Sequence, residues 1–137
     1  MDLTLSQRSA TTAGVLLITI VAVEWGGTFL LRIVRGKTSM TAFQHTFSRA
    51  GHAHAGVLVI LSLVCQLFLG ATELTGAAET VARTGVPVAA ILIPAGFFGA
   101  SFGAGRTEPN RLIVLIWLGA ASLAAGVLTL GIGLLAS

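Results

Sequence analysis

One carboxylate and three imidazoles stand out in a chain otherwise poor in reactive groups. Glu24 interrupts a long apolar run, and an ionisable group near mid-membrane is costly unless it is protonated, paired, or facing water or a cation. At about 1.5 Å per residue it lies about 12 Å inward from Arg32, too deep to snorkel. Thr28, one turn further along the same face, is placed to hydrogen-bond it. A functional role is the default reading of such a residue; the plainer one is a neutral Glu bonded to a neighbouring helix.

All three histidines, His45, His52 and His54, fall between Gln44 and Gly56, with Arg49 among them. His45 and His52 are seven apart and share a helix face, whereas His54 is rotated by about 200° from His52. His52 and His54 therefore cannot both ligate one ion from a regular helix. One is expected to face the bundle and the other a neighbouring chain, the interface or a further hydrogen-bonding partner. The plainer reading is of neutral imidazoles bonded to loops or lipid headgroups.

Depth joins the two signals, because His52 and His54 lie about 5 and 8 Å inward from Arg49 and Glu24 approaches from the same side. A carboxylate and an imidazole that meet suit zinc, copper or iron, and equally a proton relay. Ser101 and Gln66 are candidates for additional polar lining, although each also reads as a packing residue. Haem with two axial histidines would need them on opposing helices, so it would require a homodimer or a partner subunit. No Ser-His-Asp, zinc-protease or paired-carboxylate arrangement is present, and hydrolytic chemistry is unsupported.

The elements that must position these groups follow from composition. With 55% hydrophobic and only 9% charged residues in 137, the chain lies outside the range of soluble domains. A spanning helix takes about 20 apolar residues, and backbone in lipid must satisfy itself, which leaves helices. The expected fold is all-α: an integral membrane four-helix bundle forming one domain over residues 1–137, with helices at about 12–33, 51–70, 86–104 and 111–136. The first run, long and lacking a small-x-small site, is expected to be retained as a helix rather than removed as a signal.

Arg32, Arg35, Lys37 and Arg49 flank the first connection and Arg106 and Arg111 the third, against Arg8 and Arg83 on the other side. That bias puts the first and third loops in the cytoplasm and both termini outside, consistent with a cell inner membrane. The net charge of +3 is thus a topology signal, not a nucleic-acid footprint. Thr41 is the expected N-cap of a second helix that protrudes before Gly51. Pro94 is expected to kink the third helix, and Pro109 ends a turn. Cys65, the only cysteine, reads as a packing residue. Small residues such as Gly99, Gly103, Gly119 and Gly126 favour close helix packing within the chain, with a dimer face at Gly99 to Gly103 as the alternative.

The string Arg49-Ala-Gly-His-Ala-His-Ala-Gly56 resembles the histidine-bearing helix starts of the haem-copper oxidase superfamily. The resemblance covers about eight residues and implies His52 or His54 as a ligand to haem iron or copper; the further ligand helices of that family are absent. The first helix, with Ala22-Val-Glu24 followed by Gly27-Thr28 and a basic end, resembles the small multidrug resistance transporters. That likeness implies Glu24 as the group that binds protons and cationic substrates in turn.

Three expectations result. The first is a metal ion (Zn, Cu or Fe) or haem held near the cytoplasmic side by Glu24, His52 and His54, with His45 as a weaker candidate. The second is proton-coupled transport or ion conduction using Glu24, Thr28 and Ser101. The third is an accessory subunit docking on larger membrane partners. The lipid bilayer and either a homo-oligomer or a membrane complex are the expected partners, without nucleic acid.

Overall fold

The computed structural model describes residues 5–137. They form α1 (Gln7–Val34), α2 (Ala42–Leu69), α3 (Gly76–Ala100) and α4 (Val114–Leu135), the last preceded by one 3-10 turn at Arg111–Ile113. The protein is all-α: no strand occurs among the described residues, and all four helices are long and apolar enough to cross a membrane. The centre is α2 and α3, with α4 lying along α3 and α1 along α2. Only 6% of the most apolar stretch of α1 is buried, against 44% in α3, so α1 is a flank of the bundle.

Local chemistry sets the ends. Ser6 caps α1 by accepting from the Ser9 amide, so that the helix begins at Gln7, five residues before the expected start. Thr41 caps α2 in a reciprocal box with Gln44, as the polar stretch before Gly51 anticipated. The third helix begins ten residues earlier than expected, because Glu79 and Arg83, which hydropathy counts against a span, pair across one turn. It also stops earlier, at Ala100, and Gly103 lies beyond it in a loop with φ of 120°. Asn110 folds back to close that end: its side chain donates to the Gly99 carbonyl and its amide to that of Ala100.

Both Pro87 and Pro94 fall inside α3, which runs on continuously through them. A proline deprives the carbonyl four residues earlier of its donor. For Pro87 that is Arg83, and the Gln66 side chain of α2 supplies the missing N–H at 2.9 Å.

Glycines bring α3 and α4 together. A Cβ on Gly85 would lie 2.6 Å from the Gly126 Cα, and one on Gly119 2.5 Å from Ile93. Ser122 crosses the same contact to donate to the Gly85 carbonyl. Gly99 meets Leu112 of the same chain. Cys65 is buried with Leu69, Ala82, Val86 and Leu130 in the core of α2, α3 and α4.

Candidate functional site

Of the sequence-derived candidates, the structure brings His52 to the crossing of α1 and α2. His52 is half-buried, and its ring lies across Gly26 and Gly27. A Cβ on Gly27 would stand 3.5 and 3.6 Å from its Cε1 and Nε2, and one on Gly26 3.8 Å from Nδ1. These glycines give the imidazole a flat backbone seat. Glu24 precedes them by two and three residues, about 3 to 4.5 Å along the axis. It is exposed, and it makes neither hydrogen bond nor ion pair among the described residues. The Thr28 hydroxyl is turned to the Trp25 carbonyl at 2.6 Å.

His54 lies on the other side of α2. Its ring is exposed and packs against Phe97 of α3, with centroids 5.0 Å apart. Its Nδ1 is 2.8 Å from the Ala50 carbonyl, a contact that needs the proton on Nδ1 and leaves the lone pair of the neutral ring on Nε2. The divergence expected from the 200° rotation is thus present, with His52 towards α1 and His54 towards Phe97. His45 is half-buried and Arg49 exposed. No group of three His, Cys, Asp or Glu side chains is placed to hold a metal ion among the described residues. Glu24 makes no ion pair with an imidazole among the described residues, and Gly26 and Gly27 stand about 160° and 60° round α1 from it.

Ser101 belongs to a different place. Buried at the C-terminus of α3, it donates to the Phe97 and Phe98 carbonyls and borders a cavity of about 490 Å³ with Phe29, Gln44 and Ser48. Gln44 donates to the Ser101 and Gly103 carbonyls, and Thr41 to that of Arg106, tying the third loop to the start of α2. A second cavity, about 280 Å³ between α1 and α3, is bordered by Val15, Thr19 and Pro87. Glu24 is about 140° to 180° round α1 from Val15, Thr19 and Phe29. The carboxyl therefore occupies the flank opposite the cavities, apart from Ser101.

A third polar cluster, of which only Gln66 was singled out from the sequence, lies at the end of the bundle where α1 begins. Arg83 is 8% exposed; its Nη1 donates to Ser9 and Ser6 and its Nη2 to Glu79. Gln66, 0% exposed, meets the Arg83 carbonyl, and its Oε1 has no partner among the described residues. The Glu79 and Arg83 spacing was visible as a helical pair; with the helix expected to start at residue 86, it fell outside the span.

The chain matches no protein-family model, no curated protein and no solved structure.

Proposed function

We propose that this is an integral membrane protein that binds a transition-metal ion at the crossing of α1 and α2, with Glu24 and His52 as the ligands of one chain. A second copy or a partner subunit completes the coordination. The observation that supports the reading is the seat of His52 on Gly26 and Gly27, two and three residues after a Glu24 that has no partner among the described residues. Carboxylate oxygen and imidazole nitrogen suit zinc, copper or iron. Two ligands per chain make four in a twofold dimer, which fits a flank helix with little of its surface buried. His54, facing Phe97, and His45 are outside this pair. In this reading, which follows the excess of Arg and Lys at the first and third connections, the site faces the cytoplasmic side of a cell inner membrane and both termini lie outside.

Metal content and the visible spectrum of the detergent-purified protein test this reading. The expected result is one metal per two chains, lost in Glu24→Gln and His52→Ala and kept in His54→Ala; a Soret band would identify haem. A folded, metal-free protein, or one whose metal follows His54, overturns it.

A second reading, proton-coupled transport, draws on the seam between α1 and α3 with its cavities of about 280 and 490 Å³. In that case Glu24 takes up the proton on one flank of α1 while the substrate occupies the other. Transport in reconstituted vesicles abolished by Glu24→Gln, with no metal bound, would establish it over the first.

A further inference from the structure

The Arg83 cluster and the α1/α3 seam follow one another along the same three helices. The cavity of about 120 Å³ beside Ser9, Gln66 and Arg83 and the largely apolar one of about 280 Å³ nearer the middle of the helices share no lining residue, but they are about one turn apart on α1 and α3. On α1 the lining passes from Ser9 to Thr19, on α2 from Gln66 to Val59, and on α3 from Arg83 to Pro87 and Ala90. A polar end thus precedes an apolar slot of about 12 Å along α1.

The polar end has unused hydrogen-bonding capacity of both kinds. A guanidinium carries five N–H donors, and three hydrogen bonds from Arg83 go to Ser6, Ser9 and Glu79. Donation to the Arg83 carbonyl fixes the Gln66 amide with its nitrogen towards α3. Its oxygen is left as a wholly buried acceptor without a donor among the described residues, and a buried acceptor in that state is costly until something donates to it. Glu79 already neutralises Arg83, so a second full anion would be repelled by the carboxylate. A neutral group that donates one hydrogen bond and accepts others meets all these conditions.

We propose that this seam binds a long-chain carboxylic acid in its protonated form. The acid O–H donates to Gln66 Oε1, the acid carbonyl accepts from the free N–H groups of Arg83, and the alkyl chain lies in the slot past Thr19, Val59 and Pro87. The slot residues Val15 and Thr19 lie about 180° and 140° round α1 from Glu24, and the site is independent of any metal bound there.

The test is electron paramagnetic resonance of doxyl-labelled octadecanoic acid added to the full chain in detergent, with its methyl ester as the probe lacking the acid proton. The expected spectrum has an immobilised component near one acid per chain, displaced by unlabelled acid, and none for the ester. Thr19→Phe and Ala90→Phe, which fill the slot without touching the head group, should each weaken binding at least about tenfold. Arg83→Gln should do the same, the cost of a lost charge-assisted hydrogen bond. Glu24→Gln should leave binding unchanged, so failure here is separable from failure of the metal reading. No immobilised acid, equal immobilisation of acid and ester, or full binding by both slot variants with unchanged melting would each overturn the proposal, leaving a cavity filled by water only.

Discussion

The Gln66 side-chain amide donates to the Arg83 carbonyl at 2.9 Å, across from α2 to α3, and this is the carbonyl that Pro87 leaves without an intrahelical donor. Two features that look unfavourable in isolation, a glutamine inside one spanning helix and a proline inside the next, therefore satisfy each other. In lipid no water is at hand to do so.

Gln66→Leu should lower stability by about 1–3 kcal/mol, because it strands a buried carbonyl. The cost should shrink in a Pro87→Ala background, where the backbone N–H restored at position 87 can donate to the Arg83 carbonyl from within α3. Thermal unfolding of the four proteins of this cycle in detergent measures the coupling. Equal cost in both backgrounds would mean that the bond contributes nothing.

Gly85→Ala should destabilise by about 1–3 kcal/mol, since the added carbon would lie 2.6 Å from the Gly126 backbone and neither helix can yield without separating. Gly14→Ala, whose new carbon meets nothing within 4 Å, should instead be neutral or gain up to about 1 kcal/mol from helix propensity. Melting temperatures of the two variants should move in opposite directions, or at least differ clearly.

At the His52 seat, Gly27→Ala should be tolerated, because its carbon would make ordinary contact at 3.5 Å. Gly27→Leu should push the imidazole away. The imidazole resonances of His52, followed by NMR, should stay in place in the first variant and shift in the second, with the His54 resonances unmoved in both. A shift of His54 alone would show the seat to be misassigned.

Cys65 is 4% exposed in the α2, α3 and α4 core. A water-soluble maleimide should leave it unmodified in the folded protein and label it stoichiometrically after denaturation in SDS. Rapid labelling of the folded chain would show that this core opens.

Much of this was legible in the residues. The length and apolar composition of four runs required four helices, since spanning backbone has no other way to satisfy itself. Thr41 with Gln44 marked the start of α2, because a capping box depends on neighbours three residues apart. The separation of His52 from His54 also followed from the helical period alone. The start of α3 did not, because hydropathy scores Glu79 and Arg83 as isolated charges and is blind to their pairing.

Periodicity and composition by themselves determined an all-helical chain, the number of helices long and apolar enough to span a membrane, and which side chains share a helix face. Only the tertiary structure decided which face meets which helix. It put His52 on the glycines that follow Glu24, turned Glu24 away from the seam that holds Ser101, and joined Gln66 to Arg83. The physical reason is that such pairings rest on contacts between helices, set by where glycines allow backbones to approach and where buried polar groups find partners. No one helix contains that information.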